Sequence, residues 1–335
     1  MLVWGVENMD IGISGSVLEA SSSRAATAIH PTKLVPVADA KSWGRLLAQS
    51  QLPHLPQSFA YGEGKVAKGW QVRRVMFEQG ERPVAIATIL ERGVLGLRVL
   101  ARLNRGPLLL DPTLSADAII AVYTALHQRC RGPLLIAPAL PHGPLSSQIL
   151  KAAGFRLRHD NGWHSGRIDL SGSEEQIWGG FSSGFRNRVR QGEKSGASVH
   201  VMQDGESYEW LLERHVANMR DKGFAAADPT LLRAMRDCAP EDVTVLQLQH
   251  HGTAVAGMSV VRFGDCAEYH IGWFGPEGRK INAGNLLMWA AIKDMQRRGV
   301  RQFDVGGLKA GDGYTQFKRT MRPAEFRLAG EWMSF

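Results

Sequence analysis

The chain has 335 residues, 44% of them hydrophobic, which is enough to bury two cores. Its 40 Lys and Arg against 32 Asp and Glu leave a net charge of +8, which favours an anionic partner such as RNA, a nucleotide-linked precursor or an acidic membrane surface. No apolar run reaches the ~18 residues of a membrane-spanning helix, and Cys130, Cys238 and Cys266 form neither a CxxC pair nor a metal-binding spacing, which suits a reducing cytoplasm.

Met1 to Leu34 lack a basic start and a sustained apolar stretch, so they do not read as a secretion signal. Gly15-Ser16 and Ser21-Ser22-Ser23 make residues 1–34 a loose arm. Asp39 to Gln51 predicts a short amphipathic helix carrying Trp43, Leu46 and Leu47. The segment from Pro56 through Gln57-Ser58-Phe59 to Lys65, and then Lys68-Gly69-Trp70, reads as a loop with solvated lysines. Val72 to Glu78 and Val84 to Glu91, joined through Gly80, form a hairpin that Val94 to Leu100 extends. Arg105 to Leu110 reads as a buried strand after a turn. Ser115 to Arg129 is a helix with Ser115 as its N-cap and Ile119, Val122 and Leu126 on one face. Leu134 to Ile136 is a strand, and Ser146 to Ala153 a short helix closed by Gly154.

The same order returns roughly 170 residues later, too long a period for a solenoid. Val243 to Gln249, Val255 to Phe263 and Glu268 to Phe274 repeat the hairpin and its extension. A helix from Asn282 to Gly299 and a strand from Gln302 to Val305 repeat the helix and strand. The pattern predicts an α/β (α+β) chain of two similar domains, 35–165 and 166–335. Each has a mixed, mostly antiparallel sheet with flanking helices.

Between the halves, residues 182–195 form a basic linker helix. Arg186, Arg190 and Lys194 fall at i, i+4 and i+8 with few counter-charges, a stripe able to neutralise phosphates as well as to face water. Glu206 to Arg220 is a further helix, and no heptad pattern runs from Gly205 to Pro240, so no coiled-coil arm is expected. His250-His251 are turn residues; neighbours in a strand point to opposite faces and do not share a metal. No HExxH, Walker or GxSxG pattern occurs, and no metal site is expected. After the last strand, Gly306-Gly307 opens a Gly-rich loop that ends on Phe317-Lys318.

Four segments carry a resemblance: Tyr269-His270-Ile271-Gly272, Asn285-Leu286-Leu287-Met288-Trp289, Phe303-Asp304-Val305-Gly306-Gly307 and Phe317-Lys318. In order and spacing they resemble the C-terminal signature of the Fem-type aminoacyltransferases. These are the FemX-like (FemAB family) peptidoglycan-bridge enzymes, built from two GNAT acyltransferase domains in tandem, and the missing arm matches their compact form. The resemblance implies amide formation. An aminoacyl group passes from an aminoacyl-tRNA to an amine of a UDP-linked muropeptide or a similar anionic cell-wall precursor, without cofactor and without DNA. The enzyme works in the cytoplasm or at the membrane surface.

The same resemblance distributes roles. Lys318 stands near the reacting carbonyl, as oxyanion stabiliser or contact to the tRNA end, with Phe317 packed beside it. Asp304 is either a base or the cap of the following loop. Lys65 or Lys68 follows the Gln-Ser-aromatic segment and contacts phosphates of the precursor, as does Arg220 or Lys222. Tyr269 joins this substrate-binding set. Arg186, Arg190 and Lys194 match a basic run assigned to tRNA. The alternative is a CoA- or carrier-thioester-dependent GNAT N-acyltransferase acting on a polysaccharide or small amine. GNAT enzymes hold pyrophosphate on R/Q-x-x-G-x-G/A at a helix N-terminus. Here Arg279 and Gly284 fit, but Asn282 stands at the first glycine, which weighs against CoA.

Overall fold

The computed structural model describes residues 31–335 apart from 95–96, 131, 224–227 and 312, and apart from the side chains of 94, 97 and 222. The first half contains β1 (Thr32–Pro36), α1 (Ala40–Leu47), α2 (Phe59–Val66), β2 (Gln71–Gln79), β3 (Arg82–Val94), β4 (Leu97–Asn104), β5 (Leu108–Leu109), α3 (Ala116–Arg129), β6 (Leu134–Ala137), α4 (Pro144–Ala152) and β7 (Arg156–His159). The second begins with β8 (His164–Asp169), α5 (Glu174–Gly180), α6 (Ser183–Glu193), β9 (Ser198–Met202), α7 (Gly205–Lys222) and α8 (Pro229–Cys238). It continues with β10 (Val243–His250), β11 (Thr253–Phe263), β12 (Cys266–Phe274), α9 (Pro276–Lys280), α10 (Ala283–Arg297), β13 (Gln302–Asp304), α11 (Gly313–Arg319), β14 (Ala324–Arg327) and β15 (Glu331–Ser334).

The two sheets have one topology. The first runs β1-β2-β3-β4-β6-β15-β7, and the second, read from its matching edge, β9-β10-β11-β12-β13-β8-β14. In both, the fifth strand lies parallel to the fourth, because a helix (α3 or α10) returns the chain over the sheet face. In both, the sixth position is filled by an exchanged strand: in the order of the repeat β8 follows β7 as β15 follows β14, yet β8 pairs between β13 and β14, and β15 returns from the end of the chain to pair between β6 and β7.

Three clusters of apolar side chains hold this arrangement. One, around Phe77, Tyr123, Phe155 and Trp332, fills the first half. A second, around Phe185, Leu287, Trp289 and Phe303, fills the second half. The third joins them: Trp43, Leu55, Ile86 and Leu108 pack with Tyr208, Leu211, Leu231 and Phe263.

Several expectations are corrected here. Residues 1–30 of the expected loose arm lie outside the described residues, but Thr32 to Leu34 are not loose; they pair with β2 as an edge strand. The expected boundary at 165/166 falls inside β8. The range 166–335 is not one domain either, since β15 belongs to the first sheet. Pro56 to Lys65 is largely helical, with Ser58 Oγ accepting from Tyr61 N at 3.1 Å to cap α2. Of Arg105 to Leu110, only Leu108–Leu109 is strand. Phe317 and Lys318 sit in α11, not in a loop.

Candidate active site

A cleft of about 620 Å³ lies between the halves. Tyr61, Lys65, Trp70, Arg102 and Arg105 line it from the first half, and Trp163, His164, Gly307 and Lys309 from the second. Its side chains are placed by a buried amide. Gln57 is fully buried; its Nε2 donates to Asn104 O at 2.6 Å, and its Oε1 accepts from Thr88 N at 2.7 Å. That fixes the chain immediately before α2. Ser58 then starts the helix, and Arg74 holds it by donating to Phe59 O at 2.9 Å and pairing with Glu63 at 2.7 Å. Lys65, in the last turn, therefore reaches the cleft with its Nζ 5.2 Å from the Tyr61 ring centre.

Arg105 forms the floor. Its guanidinium lies 3.8 Å from the Trp163 ring centre, and Nη1 donates to Glu268 Oε2 at 3.2 Å. Burial pushes the Glu268 carboxyl up to about 7, against the pull of Arg105. Glu268 thus orients a cation toward the cleft from beneath. The Arg-Gly-Pro run was legible as a turn; the role of Arg105 as a cleft residue was not, nor was that of Trp163, because both depend on contacts between the two sheets, Arg105 after β4 meeting Glu268 of β12 and Trp163 before β8.

Gly307 leads from the cleft to Lys318. Lys318 is 4% exposed, and its Nζ donates to Gly307 O at 2.8 Å. The same Nζ lies 5.4 Å from the Tyr269 ring centre and 5.2 Å from that of Tyr314. Tyr314 OH donates to Tyr269 OH, and burial pushes the Tyr269 phenol up to about 12. The turn needs glycine at 306: φ is +73°, and a Cβ there would stand 3.0 Å from Tyr269 O and 3.4 Å from Lys318 Nζ. Asp304, fully buried, accepts from Gly306 N at 2.9 Å, from Ser165 Oγ, and from Arg167 Nε at 3.4 Å. Its contacts are those of a cap on the Gly306-Gly307 turn.

Tyr314 also lines a smaller pocket of about 240 Å³ at the N-terminus of α10, together with Phe274, Arg279, Asn282, Asn285 and Phe317. No side chain caps α10, and Asn282 adopts φ +59° and ψ +36°. Asn285 is 5% exposed, and its buried Nδ2 has no hydrogen-bond partner. Phe317 packs 5.9 Å from the Tyr314 ring and 6.4 Å from Phe185.

Other expected residues are not gathered here. Lys68 turns from the cleft to pair with Asp228 at 2.9 Å, the cap of α8. Arg220 is exposed near the end of α7 and is not a wall of the cleft. The side chain of Lys222 lies outside the described residues. Lys65, Lys68 and Arg220 therefore do not converge. On α6, Phe185, Val189 and Gly192 are buried, which leaves a polar face outward. Arg186 spends its Nη1 on the carbonyls of Gly179 at 2.8 Å and Phe181 at 2.7 Å, closing the end of α5. Arg190 and Lys194 remain exposed, with Arg190 5.7 Å from the Trp178 ring. Among the described residues no helix is long and apolar enough to cross a membrane, and no cluster of His, Cys, Asp or Glu has the form of a metal site.

Comparison with known proteins gives this geometry a family context. Residues 181–319 match the acetyltransferase (GNAT) domain. The crystal structure of FemX superposes with a TM-score of 0.76 at 15% identity, covering 90% of this chain and 96% of that one. The chain has the FemX-like, tandem GNAT acyltransferase fold. Weaker likenesses of this fold include the C-terminal domain of a putative lysylphosphatidylglycerol synthetase from Agrobacterium fabrum. It has a TM-score of 0.54 at 12% identity, covering 88% of this chain and 90% of that one. L-PGS from Bacillus licheniformis also has a TM-score of 0.54, at 13% identity, covering 88% of this chain and 91% of that one. No curated protein sequence matches the chain. In GNAT terms, the matched segment contains the α10 pocket, the Gly306-Gly307 turn and Lys318, but not the cleft wall that carries Lys65.

Proposed function

We propose that the chain transfers an aminoacyl group from an aminoacyl-tRNA ester to an amine of a nucleotide-linked cell-wall precursor, in the cytoplasm. One observation carries the reading: Lys318 touches a wall of each cavity, Gly307 of the basic cleft and Tyr314 of the α10 pocket. Two substrates, one in each cavity, would meet there. The cleft suits the acceptor, because Lys65 and Arg105 offer cations to a diphosphate, and Trp70 and Trp163 offer ring faces to a base or sugar. The smaller pocket suits the acyl end of the donor. The acceptor amine attacks the ester carbonyl, and Lys318 Nζ stabilises the oxyanion. The C–O bond then breaks and the ribose hydroxyl leaves with a proton. Asp304 is committed to the Gly306 turn, so the amine's proton passes to the substrate's own phosphate or to water. Arg190 and Lys194 remain as contacts for tRNA phosphates, with Arg186 holding the helix they stand on.

The test is incubation with a mixture of charged tRNAs and a UDP-linked muropeptide, read by mass spectrometry. The expected product carries one added amino-acid mass, and Lys65→Ala raises the acceptor KM about tenfold or more with little change in kcat. No mass added with any charged tRNA refutes the donor assignment.

A second reading, a CoA thioester as donor, is favoured by the backbone of Asn282. At φ +59° it takes the left-handed conformation for which a pyrophosphate loop uses glycine, so the asparagine does not spoil that loop as its sequence implied. Calorimetric titration with CoA separates the two donors.

A further inference from the structure

A second interdomain cavity, of about 420 Å³, shares no wall residue with the cleft and lies at the other end of β8. Leu52, Pro141, Phe326 and Leu328 make much of it apolar. Its polar walls are cationic: Arg167, Arg301 and Arg327 against the single carboxylate of Asp169, which is turned to Ser171 N at 2.8 Å. Arg167 is spent. It donates to Asp304, to Gln302 Oε1 at 2.9 Å, to Pro53 O at 2.5 Å and to His54 Nδ1 at 3.3 Å. Arg301 is 72% exposed, and its nearest carboxylate, Asp265, is 3.8 Å away. Arg327 donates Nη2 to Asp160 O at 2.5 Å and brings the same nitrogen to 3.5 Å from the Asp160 carboxylate, at an exposed rim position.

His54 is the informative wall. It is 2% exposed, packed 5.8 Å from the Phe326 ring, and its Nδ1 accepts from Arg167. The ring's proton therefore sits on Nε2, and burial beside Arg167 and Arg105 holds the imidazole neutral, well below its usual pKa. A neutral, almost fully buried imidazole in the wall of a largely apolar cavity, with two exposed guanidinium groups in the same wall, is the lining expected for one anionic head on an apolar body.

We propose that this cavity binds a small organic carboxylate, its body against Leu52, Pro141 and Phe326 and its head between Arg301, Arg327 and the Nε2–H of His54. The site stands apart from the acyl-transfer reading and does not depend on it. Through Arg167, which joins His54 to Asp304, an occupant would also adjoin the support of the Gly306-Gly307 turn.

The probe is octanoate, whose length suits a volume at the lower end of ligand sites. Octan-1-ol and octylammonium serve as controls, titrated into the full chain by calorimetry. Octanoate is expected to bind saturably at one site, about tenfold or more tighter than either control. Arg301→Gln combined with Arg327→Gln should weaken octanoate about tenfold or more, with circular dichroism unchanged. Ala324→Trp, at an exposed wall position, should block the cavity and abolish the site. Absence of saturable octanoate binding overturns the proposal. So does octanol binding as tightly as octanoate, or octanoate binding that survives both the paired arginine changes and Ala324→Trp.

Discussion

Lys318 is a buried helix residue with a structural bond of its own, and its replacement should therefore show in two measurements at once. Lys318→Ala removes the Nζ donor to Gly307 O and empties the space between the Tyr269 and Tyr314 rings. Turnover with a verified donor and acceptor should fall about 10²–10³-fold. Thermal unfolding should lose about 1–3 kcal/mol, since a part-buried carbonyl loses its charged donor and the packing between the two rings is lost. An exposed loop lysine would have cost activity alone, so full stability in the variant would contradict the buried placement. Glu268 makes a pH prediction. Burial raises its carboxyl from the ordinary value of about 4.5 to about 7, so the folded state holds more protons than the unfolded state between those values. Stability from this group is greatest at low pH and declines as pH rises through that window. His270, lowered to about 4 by burial and by His215, acts the other way: its contribution is present above about 6.5 and is lost as pH falls toward 4. Glu268→Gln keeps an acceptor for Arg105 and removes only the first trend. The difference in unfolding free energy, variant minus wild type, should rise from about pH 4.5 to 7 and then level off. A flat difference across that range would show that Glu268 titrates normally.

At the scale of elements, α2 decides whether Lys65 reaches the cleft, and its seat is a close crossing with α8. Gly64 lies against that helix; an added Cβ would stand 2.9 Å from Leu231 O and 2.9 Å from Met235 Cγ. Backbone cannot yield as a side chain can, so Gly64→Val should push α2 outward. The expected cost is about 1–3 kcal/mol in stability, with a raised acceptor KM and little change in kcat as Lys65 moves. A raised KM without lost stability would mean that α2 is not held by this crossing. The same element shows what the sequence could carry. Gln57 and Ser58 were legible as part of a segment ending in a useful lysine, yet the segment read as loop. Its helix has only eight residues, and its stability comes from Arg74 and α8, neither adjacent in the chain. Lys65 and Lys68 could not be told apart locally, because the choice was made by Asp228, 160 residues away. α11 read as a flexible loop for a related reason: Gly311 and Gly313 mark a loop, and only burial of Thr315 and Lys318 stabilises the single short helix that follows.

Across the whole molecule, the repeat was visible and the exchange was not. Element order recurs about 170 residues on, as from Leu134 to Gln302, and this periodicity lies in the hydrophobic pattern itself. Which sheet a four-residue strand joins is written in no local signal, so Glu331–Ser334 gave no sign that it completes a sheet begun three hundred residues earlier. The exchange has a thermodynamic consequence. Trp332 is 1% exposed in the first core, and its Nε1 donates to Ala329 O at 2.6 Å, yet it is covalently part of the second half. β8, the strand that follows β7 directly in the chain, pairs within the second sheet, and the third core draws on both halves. Neither half can unfold without removing a central strand from the other. The chain should therefore unfold in one cooperative transition despite its two sheets. Trp332→Ala should lower that transition by about 3–5 kcal/mol as a unit. Hydrogen exchange should quicken in β10 and β11 of the second sheet as well as in β6 and β7, which flank the vacated strand. Two resolved transitions in calorimetry, with the second half unmoved by Trp332→Ala, would show that the exchanged strands do not couple the halves.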